Sequence, residues 1–156
     1  MVDRSTSPSK GVAGAHIARV PSGVHRIDHV AIAVRDADIA AAGMIATFGL
    51  RPTGDVVSPD GLVRLLYLDA AETTIQLVQP MQPGPVATWL EANGEGLHHI
   101  CFSVPDLADA LEGLGQGPDV RIAEGGRGCP VAFLAAPVHG VLIELTEISD
   151  ALTRQS

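Results

Sequence analysis

Two stretches of this chain, "IDHVAIAVRDAD" at residues 27–38 and "LHHICFSVPDLA" at residues 97–108, match position by position at an offset of 70 residues. The match places His29 over His99, each near the start of an alternating apolar run. Two such stretches so far apart predict an internal repeat, in which each copy forms one structural module.

A second pair of stretches lies near the end of each half. "TIQLVQ" at residues 74–79 and "LIELTE" at residues 142–147 correspond at an offset of 68, which places Gln76 over Glu144. Both halves follow the order strand, helix and three strands. We therefore expect each half to supply one four-stranded sheet, with the two sheets facing each other around a shared cleft.

Turn and cap residues mark where the predicted helices and strands begin and end. Asp36 is predicted to cap the first helix at its N-terminus, and Gly49 is predicted to end it. In the second half, the apolar runs at residues 119–123 and 131–137 predict the strands that precede the last one.

The chain has the length of one domain, at 156 residues. Residues 1–24 are rich in Ser, Pro, Gly and Ala and predict a flexible N-terminal tail. We expect a single domain at 25–150, with modules at about 26–80 and 96–148, a linker helix at 84–95 and a C-terminal tail at 151–156.

The composition excludes several classes of function. A net charge of −8 with a single lysine argues against binding to nucleic acid, which requires a clustered basic face. No apolar run reaches the roughly 18 residues of a membrane span, and we find no secretory signal. The two cysteines do not form a disulfide framework, so we predict a cytoplasmic protein.

Strand alternation sorts the polar residues of the matched strands into two faces, because neighbouring side chains of a strand point to opposite sides. His29 and His99 both lie on a face of small residues, which leaves room for a ligand. His98 is expected on the opposite face with Ile100 and Phe102, packed against the helices.

The closing strand of each half adds one polar residue, Gln76 or Glu144, to the same inward face. A glutamate between apolar neighbours in a buried strand is costly unless it is paired or bound to a cation. Imidazole and carboxylate donors at these repeat-equivalent positions predict one divalent metal ion, which could be Co, Mn, Ni, Zn or Fe. The predicted metal ligands are His29, Gln76, His99 and Glu144.

At these residues the sequence resembles the vicinal oxygen chelate superfamily of glyoxalases, bleomycin resistance proteins and dioxygenases, and within it the methylmalonyl-CoA epimerases. The resemblance covers about residues 26–148 and is carried by "IDHVAIAV", "TTIQLVQP", "GEGLHHICFSV", "VAFL" and "HGVLIELTE". It implies an α+β fold in which paired βαβββ modules form an open, barrel-like mixed sheet around a metal-centred cleft. It also implies the same four metal ligands and a homodimer.

The resemblance further implies an epimerase or racemase that moves a proton at a carbon next to a carbonyl, through a metal-stabilised enolate. Glu144 would be one catalytic acid/base, and epimerisation requires a second group on the opposite side. Related epimerases carry a glutamate in the strand where this chain has Arg64, which cannot act as a general base. We expect Arg64 to bind a substrate carboxylate or phosphate instead. Tyr67, Glu72 and Glu95 are equal candidates for the second acid/base.

The last hairpin departs from the pattern of the family, and this leaves the identity of the substrate undecided. The stretch "EGGRGCPVAFLAAPVHG" at residues 124–140 lacks the lysine that family members usually carry there. The substrate is therefore either an acyl-CoA or a smaller carbonyl compound, such as an α-hydroxy ketone of sugar or secondary metabolism. A glyoxalase-type lyase and an Fe(II) extradiol dioxygenase are further alternatives. The intact ligand set argues against a metal-free binding module.

Overall fold

A computed structural model describes residues 23–147 of the chain. The two predicted tails, apart from residues 23 and 24, lie outside the described residues. Three helices and eight strands follow one another in the order β1 (Arg26–Ala33), α1 (Ala37–Phe48), β2 (Arg51–Val57), β3 (Val63–Asp69), β4 (Thr74–Pro80), α2 (Pro85–Asn93), β5 (Gly96–Val104), α3 (Leu107–Gly113), β6 (Ala123–Glu124), β7 (Pro130–Phe133) and β8 (Leu142–Glu147).

The strands form one mixed sheet in the order β2-β3-β4-β1-β5-β8-β7-β6, which curls into a half-barrel. Strand β1 pairs in parallel with β4, and β5 pairs in parallel with β8 in the same way. The two modules join where β1 and β5 run antiparallel. The predicted α+β fold of paired modules is confirmed, although the modules share one continuous sheet.

The helices begin at repeat-equivalent capping residues. The Asp36 carboxylate accepts from two backbone N–H groups at the start of α1, and the Asp106 carboxylate accepts from one at the start of α3. Gly49 ends α1 in the left-handed conformation, at φ 69°. Both predictions for α1 are therefore confirmed.

A further pair of equivalent contacts ties each helix to its sheet. The Gln79 side chain of β4 accepts from the backbone N–H of Ala37, and Glu147 of β8 accepts from that of Leu107. Apolar side chains of α1 and α3 then pack on one face of the sheet and form two buried clusters. The opposite, concave face is left for the site.

The second module departs from prediction in its outer strands. Residues 119–122 do not form a strand, and of the predicted strand at 119–123 only Ala123 lies in β6, which pairs with β7 over two residues. The backbone N–H of Val120 instead bonds the carbonyl of Gly117, so this stretch is used to make a turn. Among the described residues, no helix is long and apolar enough to cross a membrane.

Candidate metal centre

A cavity of about 470 Å³ opens on the concave face of the sheet. Its walls come from both modules: strands β1, β3, β4, β5 and β8 and the turn between β6 and β7 all contribute side chains. A volume of this size suits a small molecule, or one end of a larger one. All four predicted metal ligands line it.

Three of those ligands converge on a single point. His29 Nε2 lies 3.3 Å from His99 Nε2, and Glu144 Oε2 lies 3.2 Å from the first and 3.3 Å from the second. All three residues are buried. We call these three atoms the ligand triangle.

The dimensions of the ligand triangle fit a divalent metal ion. Donor atoms about 2.1 Å from one ion are about 3.0 Å apart at right angles and about 3.4 Å apart at tetrahedral angles. The observed separations of 3.2–3.3 Å fall between these values. Two imidazole nitrogens and one carboxylate oxygen also suit first-row divalent ions. These residues therefore match one face of a metal coordination sphere.

Gln76 lies beside the ligand triangle on β4. It is 5 % exposed, lines the cavity and lies opposite Tyr67, its cross-strand partner on β3, which lines the cavity too. The structure thus brings all four predicted ligands to one cavity, with three in the tight triangle and Gln76 at its wall.

Asp28 orients the first histidine. Its carboxylate accepts from Nδ1 of His29 at 2.8 Å, which leaves Nε2 for the ligand triangle. The Arg127 guanidinium in turn donates to Asp28 at 2.9 Å. Asp28 can reach His29 because the β1–β5 pairing shifts between Ile27 and His29, so that Asp28 is the extra residue of a β-bulge.

The second histidine has the equivalent support, and here one prediction is wrong. His98 lines the cavity instead of lying on the face away from it, and its Nδ1 lies 2.8 Å from Nδ1 of His99. The part of the prediction that has His98 contacting a helix is met, because its ring packs edge-on against Trp89 of α2 at 5.0 Å between ring centres. The β1–β5 register also shifts between Ala31 and Ile32, opposite His99 and Leu97, which makes His98 the extra residue. The bulge cancels the strict alternation on which the prediction depended.

The charges of the site are set by these contacts. Burial disfavours ionised Glu144, but hydrogen bonds from His29 and His99 outweigh it and hold the pKa of the carboxyl at about 2. Burial likewise disfavours protonated His29, but the Asp28 and Glu144 carboxylates raise its pKa. Burial and the neighbouring His99 lower the pKa of His98 to about 4, so His98 is neutral at neutral pH.

Cys101 lies beside the site but is a poor ligand. Its sulfur lies within 4.8 Å of ligand atoms of Asp28 and His29, and the residue is fully buried. Burial, followed by the negative charge of Glu144, strongly raises the pKa of the thiol. Cys101 does not belong to the group formed by His29, His99 and Glu144, so we interpret it as a small buried side chain.

Arg64 is not brought together with the other predicted site residues. Within the described chain, its guanidinium donates to the carboxylates of Asp38 and Asp55 at 2.7–2.9 Å and does not line the cavity. Its substrate-binding role stays a prediction. Glu72 borders a separate neighbouring cleft.

Among the candidates for the second acid/base, Tyr67 is the one that lines the cavity, because Glu95 accepts from the backbone N–H of Arg35 outside it. Arg127, by contrast, is a cavity residue that sequence reasoning missed. One feature of the sequence could have indicated it: Arg127 lies in the glycine-rich stretch "EGGRGCP" at residues 124–130, just before the last hairpin.

Comparison with known proteins agrees with this geometry. A family model described as the Glyoxalase/Bleomycin resistance protein/Dioxygenase superfamily matches residues 28–133. The ethylmalonyl-CoA/methylmalonyl-CoA epimerase of Cereibacter sphaeroides is 34 % identical over 133 residues, which cover 80 % of this chain and 99 % of that protein. The mitochondrial methylmalonyl-CoA epimerase of Homo sapiens is 33 % identical over 129 residues, covering 78 % of this chain and 73 % of that protein.

A solved structure shows the same relationship in three dimensions. A variant of the Streptomyces coelicolor methylmalonyl-CoA epimerase, in complex with 2-nitronate-propionyl-CoA, superposes with a TM-score of 0.70 at 33 % sequence identity. The match covers 81 % of this chain and 99 % of that chain.

Proposed function

Because the chain belongs to the Glyoxalase/Bleomycin resistance protein/Dioxygenase superfamily, we propose that it is a divalent-metal-dependent epimerase of methylmalonyl-CoA or a close acyl-CoA. The observation that carries this proposal is the ligand triangle, in which buried donors from both modules lie 3.2–3.3 Å apart. The epimerase names of the relatives support the reaction class.

His29, His99 and Glu144 would hold the metal, with Gln76 beside them. When bound, a divalent ion supplies positive charge beside the substrate carbonyl oxygen and so lowers the cost of removing the neighbouring proton. The cavity contributes a mostly apolar lining, beside which that charge is screened less than in open water.

Glu144 would be one of the two acid/base groups. Its carboxylate lines the cavity beside the Nε2 atoms of His29 and His99. A substrate carbon held in the cavity would therefore lie beside a group that can accept its proton. Tyr67 lines the same cavity and is the candidate for the second acid/base.

Exchange of solvent deuterium tests this function. The protein is loaded in turn with Co, Mn, Ni, Zn or Fe(II) and incubated with one epimer of methylmalonyl-CoA in deuterated water. We expect deuterium to enter the α-carbon, and the second epimer to appear, faster than in a protein-free control. His99→Ala should remove this activity, whereas His25→Ala, at an exposed histidine outside the cavity, should retain it.

Absence of exchange above the protein-free rate with every metal would contradict the proposal. Exchange only with a small α-hydroxy ketone would keep the chemistry but change the substrate. Consumption of oxygen with Fe(II) would indicate a dioxygenase instead. The homodimer and the cytoplasmic location stay predictions from the sequence.

A further inference from the structure

The turn at residues 125–128, between β6 and β7, holds Arg127 in a fixed position. The backbone N–H of Gly128 bonds the carbonyl of Gly125 at 2.9 Å, so Gly126 and Arg127 are the two central residues of a tight turn. A second bond of 2.9 Å, from the N–H of Gly125 to the carbonyl of Cys129, closes the base of the turn. The backbone of Arg127 is therefore well constrained.

This turn belongs to the second module but packs on the first. A Cβ atom on Gly126 would lie 2.5 Å from a methyl group of Leu65 and 2.7 Å from the Tyr67 hydroxyl, so only glycine allows this approach. The Arg127 guanidinium lies 4.4 Å from the centre of the Tyr67 ring and donates to Asp28 at 2.9 Å. The side chain is thus held on two sides inside the cavity wall.

The guanidinium keeps donors available for a ligand. Arginine carries several N–H donors in a planar fork, and across residues 23–147 the Asp28 carboxylate is the one acceptor that Arg127 uses. About a third of its side chain, 32 %, is exposed. Asp28 also contacts His29, so Asp28 is the one side chain between Arg127 and a histidine of the ligand triangle.

We propose that Arg127 binds the carboxylate that the substrate carries on its reacting carbon. The inference rests on the proposed function, since a methylmalonyl thioester places a carboxylate next to the proton that is exchanged. An arginine fork binds a carboxylate strongly, and one that is already held in place loses little freedom on binding. The CoA phosphates lie at the far end of such a substrate, away from a group this close to His29.

Arg26 is the other arginine that lines the cavity. It is exposed at the first residue of β1, and no described side chain holds it in place. The fixed geometry of Arg127 therefore makes it the better carboxylate site.

A binding cycle isolates the carboxylate. Dissociation constants of methylmalonyl-CoA and propionyl-CoA are measured by calorimetry for the metal-loaded wild type, Arg127→Ala and Arg127→Gln. Propionyl-CoA has the same phosphates but no carboxylate on its α-carbon. We expect both variants to weaken methylmalonyl-CoA binding by about 10- to 100-fold and propionyl-CoA binding by less than about twofold. Arg51→Ala, which removes an exposed arginine paired with Asp69 outside the cavity, should change neither.

Equal weakening of both ligands would overturn the inference, because Arg127 would then bind a phosphate or act only through Asp28. Unchanged binding of methylmalonyl-CoA, or a selective loss in Arg26→Ala instead, would also overturn it. Failure of the proposed function gives a different result: the wild type itself would then bind neither thioester or would exchange no deuterium.

Discussion

The two histidines that we predict to bind the metal differ in what supports them. His29 donates to a carboxylate, Asp28, whereas His99 contacts the neutral ring of His98. A carboxylate increases the basicity of an imidazole ligand more than a neutral ring does. The two histidines are therefore equivalent by position in the repeat but unequal as donors.

Substitution of His98 and His99, one at a time, should distinguish the predicted metal ligand from the residue that supports it. We expect His99→Ala to abolish metal binding and His98→Ala to weaken it by about 10- to 100-fold, because His98 orients the ring of His99. Metal titration with a spectroscopic readout for Co measures both affinities, and circular dichroism checks the fold. Equal loss of metal in the two variants would contradict the distinction between ligand and support.

The stability of the metal-free protein should depend on pH through three groups of the site. The pKa of His29 is raised above its ordinary 6.5, so its contribution is complete below pH 6.5 and is lost as the pH rises through the folded value. The pKa of Glu144 is lowered from 4.5 to about 2, so its contribution is complete above pH 4.5 and is lost as the pH falls towards 2. Both contributions are present together between pH 4.5 and 6.5. Neutral His98 acts in the opposite direction to His29: its pKa is lowered from 6.5 to about 4, so its contribution is complete above pH 6.5 and is lost as the pH falls towards 4.

Thermal unfolding in a chelating buffer over a series of pH values measures this effect. Glu144→Gln should flatten the acidic limb, because an amide does not titrate. An acidic limb of the same steepness in the wild type and in Glu144→Gln would contradict the expected charge state of Glu144.

Individual strands and turns place the supporting residues. Asp28 and His98 owe their positions to two bulges, and these arise from the pairing of β1 with β5. The sequence within either strand shows simple alternation and contains no sign of a bulge. For this reason the sequence could predict that His29, Gln76, His99 and Glu144 share one cavity, whereas it could not predict the partner of His99.

The turn at residues 125–128 should be sensitive to a single methyl group. Gly126→Ala places a Cβ against Leu65 and Tyr67, so we expect a loss of about 1–3 kcal/mol in the free energy of unfolding. Gly117→Ala is the matched control, because a Cβ there meets no atom within 4 Å. Urea denaturation compares the two variants, and a Gly126→Ala variant as stable as Gly117→Ala would show that the turn does not pack on the first module.

Over the whole molecule, the repeat predicted most of the fold. An offset of 70 residues aligned the caps Asp36 and Asp106 and the ligands His29 and His99, because both halves use the same local sequence for the same structure. Arg127 was missed since its role depends on a turn of one module that reaches the other. Such a contact between distant segments leaves no periodic pattern in the sequence.

Metal binding should stabilise the two modules together, because His29 comes from one module and His99 and Glu144 come from the other. At about 100 times the dissociation constant, the metal should add about 2.7 kcal/mol and raise Tm by roughly 5–10 °C in a single transition. Differential scanning calorimetry measures the shift. The same shift in His99→Ala, or two separate transitions in the wild type, would contradict a site shared by the modules.

The paired bulges also bear on how such a fold diversifies after a gene duplication. A bulged residue lies outside the two-residue repeat of its strand, so its replacement leaves the ligand beside it on the same face. Each copy of the module can therefore acquire a different residue at this position without losing its histidine. Aspartate at residue 28 and histidine at residue 98 occupy equivalent positions of the repeat, so the support of each histidine can be changed without changing the other.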